Sequence, residues 1–253
     1  MIDSTGSVQA HYDQLLGSRY TWMMGGFAAC HSNARALLDA AKVTASDGDR
    51  ALDLGAGAGF HARALAERGF EVIAVDTSLA LLQELAEVCA GFGVAPIHAH
   101  LLDDSAFAKY APFALVLCVG DTVTHLASPE EVERLIALAS QMLRPGGTFV
   151  LQFREQPNDP RIADCTFTIR AERDRIMECV LHYEPDRVWV TDVVHEWSGQ
   201  VWRSERSTYP KLRLSSDALI AQASNAGLGL REKSVLARQQ LLVFTRGEAD
   251  PNA

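Results

Sequence analysis

The run Leu52-Asp53-Leu54-Gly55-Ala56-Gly57-Ala58-Gly59 constrains this chain more than any other segment. A strand pattern, Arg50 to Leu54, enters it, and a helical pattern leaves it at Phe60. Glycines at alternate positions allow the sharp turn between the two and let a ligand approach main-chain amides without meeting a Cβ. The next strand, Phe70 to Val75, is closed by Asp76, 19 residues after Gly57. A carboxylate there can accept both hydroxyls of a ribose. The spacing differs from the GxGxxG that seats a pyrophosphate on a helix N-terminus, and Asp53 just before it disfavours phosphate while suiting an ammonium.

The same alternation runs through most of the chain. Residues 8–41 read as helical with a break at Gly25-Gly26, and Ser46-Asp47-Gly48-Asp49 as a turn. Phe60 to Arg68 is a helix stopped by Gly69, and Ser78 caps a second that runs to about Ala90. Pro96 to Ala99 is a short strand, and Phe113 to Val119 is apolar enough to be covered on both faces. Ser128-Pro129 starts a helix to about Leu143, and Pro145-Gly146-Gly147 turns into a fifth strand, Thr148 to Phe153. Strands separated by helices imply a mainly parallel sheet with helices on both faces.

Residues 155–210 lose the helical period. Cys165 to Ala171, Ile176 to Tyr183, Val188 to Trp197 and Val201 to Thr208 alternate instead, which predicts an antiparallel meander inserted into an α/β core. Ser216 to Ala226 is helical again, and Leu230 to Leu236 with Gln240 to Thr245 form a closing hairpin, too close for a crossover. The expected organisation is a helical lid at 1–44, a core at 45–154 and 211–247, and a β cap or dimer surface at 155–210.

Composition narrows the partners. A chain of 253 residues can bury a core without staples. Its net charge of −9 weighs against a phosphate backbone as partner, since the densest basic segment, Arg170 to Arg175, also carries Glu172 and Asp174. No apolar run reaches membrane-spanning length, and the start, Met1 to Gly6, lacks a signal-peptide pattern. The five scattered cysteines show no CxxC and are expected as reduced thiols in a cytoplasmic protein. His98 and His100 share a strand face, but no carboxylate and cysteine set completes a metal site, so no metal is expected.

A short-chain dehydrogenase would need a Tyr with Lys four residues later, and none of Tyr12, Tyr20, Tyr110, Tyr183 or Tyr209 has one. Instead Asp53 to Gly59, Asp76, Asp103, the apolar run ending at Gly120-Asp121, and Leu143-Arg144-Pro145-Gly146-Gly147 together resemble the class I S-adenosylmethionine-dependent methyltransferases. The resemblance covers residues 45–153 and the end hairpin. It implies a Rossmann-like seven-stranded sheet with a reversed last strand. It also implies that Gly55, Ala56 and Gly57 pack on the methionine part of S-adenosylmethionine, with Asp53 behind its ammonium. Asp76 would hold the ribose, Thr77, Leu102 and Asp103 would flank the adenine, and the sulfonium would face Val119, Gly120 and Asp121. Leu117 to Leu126 also looks like a segment of glycine N-methyltransferases and related small-molecule enzymes, with Asp121 in place of their Asn; Arg154 matches an arginine that meets a substrate carboxylate there.

The expected activity is methyl transfer to an N or O nucleophile of a small molecule. Alternatives are natural-product O-methylation with His125 as base, and a silent S-adenosylmethionine-binding sensor or partner subunit. His125 and Asp121 are the catalytic candidates, each with a bracing role as the competing reading. Arg154, Tyr20, Trp22 and His195 are the substrate candidates, against packing or ion-pair roles. Tyr12 and Met23 belong to the same N-terminal aromatic run, and Trp189, Trp197 and Trp202 place either a substrate cover or a homodimer surface in the meander.

Overall fold

The computed structural model describes residues 6–156 and 163–248. The reading of the N-terminus as free of a signal pattern rests mainly on Met1 to Thr5, outside those residues. The chain opens with α1 (Val8–His11), α2 (Tyr20–Met23) and α3 (Phe27–Ala40). Strands and helices then alternate: β1 (Arg50–Leu54), α4 (Phe60–Glu67), β2 (Glu71–Asp76), α5 (Leu79–Val88), β3 (Val94–His98), β4 (Phe113–Cys118), α6 (Pro129–Met142) and β5 (Leu143–Phe153). Four long strands follow, β6 (Cys165–Ala171), β7 (Arg175–Tyr183), β8 (Arg187–Trp197) and β9 (Trp202–Leu212). The described chain closes with α7 (Ser216–Asn225), β10 (Leu228–Leu236) and β11 (Gln239–Arg246).

The main sheet has the order β10-β11-β5-β4-β1-β2-β3. Strands β1 to β5 are mutually parallel, and β11 runs antiparallel to both β5 and β10. This is the expected seven-stranded sheet with its last strand reversed. Helices α3, α4 and α5 cover one face with Leu37, Leu38, Leu65, Leu81 and Leu85. Helices α6 and α7 cover the other with Leu135, Ile136 and Leu219. The helix starts follow their caps: Ser78 Oγ accepts from Leu81 N, and Ser128 Oγ accepts from Glu131 N with Pro129 at N1. No helix among the described residues is long and apolar enough to cross a membrane.

Strands β6 to β9 form a separate antiparallel sheet in sequence order, as the alternation predicts. Its inner face carries Met177, Cys179, Val188, Val190, Val194 and Tyr209, all buried. The N-terminal segment lies beneath that face, where Leu15 and Leu16 pack on Met177 and Val194. Arg19 ties the two together through Glu196 at 2.9 Å and Glu205 at 3.1 Å.

Two details differ from the expectation. The expected break at Gly25-Gly26 is present between α2 and α3, with φ of +100° and +93°, but the helical stretch before it is divided further: a π turn at Tyr12–Leu16 and a 3-10 turn at Gly17–Arg19 separate α1 from α2. A Cβ at Gly17 would lie 2.9 Å from Tyr12 O, so this tight winding depends on the missing side chain. Leu143 already pairs with Phe113, so the expected turn lies inside β5: Arg144 to Gly147 bulge between that pair and Leu115–Thr148, with Gly146 at φ +72°. There the exposed Arg144 holds the buried Asp49 with two hydrogen bonds, of 2.6 and 3.1 Å.

Gly59 caps α4 with φ +87°, and a Cβ on it would lie 2.8 Å from Leu85 Cγ and 3.2 Å from Leu85 Cα. Gly91 has φ +82° with nothing within 4 Å of such a Cβ. Gly59→Ala is expected to cost about 2–4 kcal/mol, strain plus clash, and Gly91→Ala about 1 kcal/mol from strain alone. Urea unfolding of the two variants measures the difference.

Candidate active site

The glycine loop is held by the strand beside it. Gly55 N and Ala56 N both donate to Val75 O, at 2.8 and 3.0 Å. Gly57 N donates to Asp76 Oδ2 and Ser78 N to Asp76 Oδ1, each at 2.8 Å. Gly55 has φ +78°, and a Cβ there would come within 2.5 Å of Thr122 Oγ1. The loop after β4 therefore rests directly on the loop after β1.

Above these loops, at the C-terminal ends of the parallel strands, lies a cavity of about 870 Å³ roofed by the N-terminal segment and the inner face of β6–β9. One end is lined by Gly55, Ala56, Gly57, Asp76, Thr77, His100 and Leu101. Tyr20 stands over Gly57 at this end, and the wall continues through Tyr12, Val119, His125, Asp192, Tyr209 and Lys211, with Arg154 beside them. A crevice at this edge of an open α/β sheet is where ligands are expected.

Several of the predicted residues meet here and several do not. Gly55, Ala56, Gly57, Asp76, Thr77 and Val119 line the cavity. Leu102 and Asp103 do not: half-buried Leu102 packs against the hydrophobic core, and exposed Asp103 accepts from Ser105 Oγ at 2.6 Å as a 3-10 turn begins. His100 and Leu101 take the wall position instead. Trp22 is also outside the wall. Two residues along a helix rotate a side chain by about 200°, so Tyr20 faces the cavity while Trp22 lies under the guanidinium of Arg175, 4.9 Å from its ring centre. His195 misses for the equivalent reason in a strand. Asp192 and Val194 point inward, so His195 points out, to Ser204 Oγ at 2.7 Å and Glu178 Oε2 at 3.2 Å. Trp197 and Trp202 are exposed outside the cavity, their ring centres 5.7 Å apart, so they do not cover a substrate.

Asp121 is a brace rather than a free base. It holds a left-handed backbone at φ +74°; its Oδ1 accepts from Arg154 N at 2.5 Å and its Oδ2 from Lys211 Nζ at 3.1 Å. Burial raises its pKa, but Lys211 and the Arg154 amide outweigh burial and hold it below the usual carboxylate range. His125 fits the reactive role better by position. Its ring stands edge-on to Tyr12 and Tyr209, with centres 6.1 and 5.7 Å away, and its Nε2 is buried without a partner. Burial and the nearby Lys211 push its pKa down to about 3, so it is a neutral imidazole. Burial, first, raises Tyr12 and Tyr20 well above the phenol range, so both stay protonated. Lys211, Asp192 and Tyr209 escape sequence reasoning: nothing local distinguishes them from other inward residues of a strand.

The family model for a methyltransferase domain matches residues 51–147, the stretch from β1 into β5. Residues 51–147 are thus a methyltransferase domain, and the findings support an S-adenosylmethionine-dependent enzyme. Solved structures agree over the whole fold. An amino pentose methyltransferase from Micromonospora echinaspora, involved in calicheamicin biosynthesis, is 22% identical with a TM-score of 0.72, covering 93% of this chain and 98% of that one. A sugar N-methyltransferase from Streptoalloteichus is 19% identical with a TM-score of 0.70, covering 98% and 99%. A methyltransferase from Streptomyces caelestis is 24% identical with a TM-score of 0.70, covering 87% and 96%. At these identities the likeness is one of fold. The comparison with curated proteins found no match.

The methyltransferase site fits its cofactor on one observation above all. Asp53, at the end of β1 just before the glycine loop, is fully buried and does not itself line the cavity, and neither carboxylate oxygen has a partner. Burial, and then Asp76, push its pKa up to about 7. A buried carboxylate without a partner suits a cation close by, and the ammonium of S-adenosylmethionine would be one. Without the cofactor, Asp53 is protonated more readily in the folded than in the unfolded chain, so its contribution to stability is present at low pH and is lost as pH rises from about 4 through about 7. Asp53→Asn is therefore expected to raise the cofactor-free melting temperature at pH 8 while changing it little at pH 4.5. Thermal melts across that range check the sign.

Proposed function

We propose that this methyltransferase methylates an amine of a small molecule. His125 carries the reading. A hydroxyl acceptor needs a base with a pKa near the working pH, and His125, held down to about 3, is too weak to serve. An amine is far easier to deprotonate than a hydroxyl, and once its lone pair is free the step needs mainly orientation, which can supply roughly 7–11 kcal/mol. Support comes also from the structural likeness to an amino pentose methyltransferase and a sugar N-methyltransferase.

In this reading the glycine loop and Asp76 form the donor end and the wall of Tyr12, His125 and Tyr209 forms the acceptor end. Bound S-adenosylmethionine supplies the electrophilic methyl group. Asp53 receives its ammonium, Asp76 its ribose hydroxyls, and His100 and Leu101 border its base. Asp76 keeps two backbone donors and can take two hydroxyls on its free lone pairs. The neutral Nε2 of His125 accepts a hydrogen bond from the incoming amine and aims its lone pair. The N-terminal segment and β6–β9 exclude water from the acceptor end, and Arg154 meets an anionic or polar group of the acceptor at the rim.

Labelled donor offered with matched amine-bearing and hydroxyl-bearing sugars and cyclohexane derivatives tests this. Label is expected on nitrogen only. Label on oxygen alone, or no transfer from a donor that demonstrably binds, would overturn the reading, the latter in favour of a silent binding module. Asp76→Ala is expected to weaken S-adenosylhomocysteine roughly a hundredfold by calorimetry, since two charge-assisted hydrogen bonds disappear together. Retained affinity would contradict the ribose assignment.

A further inference from the structure

Four carboxylates line the cavity, and three of them are already committed. Asp76 accepts the Gly57 and Ser78 amides at the donor end. Asp121 is paired with Lys211 and the Arg154 amide. Glu131 accepts from Ala127 N at 2.9 Å at the start of α6. The fourth, Asp192, points inward from β8 and is only 3% exposed.

Its surroundings are unusual for a carboxylate. The Cys179 thiol, its cross-strand partner on β7, donates to it and is itself held protonated by burial. The nearest cation-forming group is His11, whose Nε2 lies 3.2 Å from Asp192 Oδ2. His11 is completely buried and stacked on Tyr209, ring centres 4.1 Å apart and planes 28° from parallel. Neither of its ring nitrogens makes a hydrogen bond of good geometry, so the contact with Asp192 is close but bent. Asp192 thus keeps acceptor capacity toward the cavity. The other groups turned toward the pair are Tyr12 from the N-terminal turn, Tyr209 and Lys211 from β9, and His125 and Asp121 from the loop after β4. The tyrosines stay neutral, and Lys211 is compensated by Asp121.

An amine acceptor presents a problem that His125 does not solve. In water an alkyl amine is mostly protonated, its lone pair is blocked, and a second cation in a chamber that holds a sulfonium is repelled. A buried carboxylate without a fixed cation attracts an ammonium strongly, because an uncompensated charge there is costly. A carboxylate with an imidazole behind it also offers the departing proton a place.

We propose that Asp192 binds the acceptor as its ammonium and that His11, acting through Asp192, takes the proton. The N–H bond breaks, its electron pair stays on nitrogen, and the proton passes by way of the Asp192 carboxylate to His11 Nε2. The pair goes from carboxylate with imidazole to carboxylate with imidazolium, and the amine is left neutral with its lone pair free. Asp192 touches the acceptor and is catalytic; His11 is a positioning residue beneath Tyr209. The inference rests on the amine reading above, and its test separates the two.

Protein carrying S-adenosylhomocysteine and ring-15N-labelled histidine, with the His11 signals assigned by loss in His11→Phe, is titrated with cyclohexylammonium and, separately, with cyclohexanol. The ammonium is expected to move the His11 ring signals and the alcohol is not, and Asp192→Asn is expected to abolish the response while Asp192→Glu keeps part of it. Melting temperature and S-adenosylhomocysteine affinity show that each variant is folded. Equal responses to amine and alcohol, or an ammonium response that survives in Asp192→Asn, would overturn the assignment.

With an amine acceptor in hand, Asp192→Asn is expected to raise its KM roughly tenfold or more. His11→Phe should move the acid limb of kcat/KM up by about one pH unit, toward the amine's own pKa. Variants that methylate the amine with unaltered KM and pH profile overturn the Asp192–His11 assignment and leave the amine reading standing. Failure to methylate any amine overturns the amine reading, and the resonance titration still decides the assignment.

Discussion

Backbone approach at Gly55 is the constraint on which the rest of the site depends. With no Cβ at that position, Thr122 can rest on the loop after β1, and Thr122 Oγ1 donates to Val119 O at 2.8 Å to hold its own loop in place. This contact sets how far the donor end of the cavity lies from the acceptor end. Val75 O and the Asp76 carboxylate hold the same loop from the other side. The geometry is therefore fixed by main-chain donors on a rigid sheet rather than by long side chains, which suits a reaction whose catalysis is largely alignment.

A second joint connects this core to its roof. Asp121 stands where three elements meet: the loop after β4, the end of β5 through Arg154 N, and β9 through Lys211. A non-glycine residue at φ +74° carries some backbone strain, and the two hydrogen bonds to its carboxylate over-determine the conformation. The amide of an Asn could satisfy Arg154 N but could not pair with a lysine charge. The Asp therefore brings a compensated ion pair into the acceptor wall, and the lysine of that pair is one reason His125 stays neutral. Position and electrostatics are thus set by the same side chain.

How much of this was legible depends on whether a feature was local. The sheet, its reversed last strand and the four-stranded insertion could be read because periodicity, caps and turns act over a few residues: Ser78, Ser128 and the alternation from Val188 to Trp197 are examples. The donor loop was legible for the same reason. The acceptor wall was not. Tyr12, His125, Asp192, Tyr209 and Lys211 are brought together only by the docking of the N-terminal segment and the insertion on the core, across up to 199 positions of chain. Trp22 and His195 were misplaced by rotation alone. Each lies next to residues that do face the cavity, and chemistry without the phase of the helix or strand does not say which neighbour points in.

The four buried or half-buried acids around the cavity show how one side-chain type is given different tasks by its neighbours. Asp76 has amide donors and remains an acceptor for hydroxyls. Asp121 has a lysine and becomes a structural anion. Asp53 has no partner and is pushed toward neutrality until a cation comes. Asp192 has a thiol and a bent contact to an imidazole, a partner whose charge can change. Of these, only the last is adjacent to a group able to store a proton within the acceptor end. On the proposed amine reading, a chamber that admits a cation and then frees a lone pair needs that combination, and the fold has it where α1, β7, β8 and β9 converge under Tyr209.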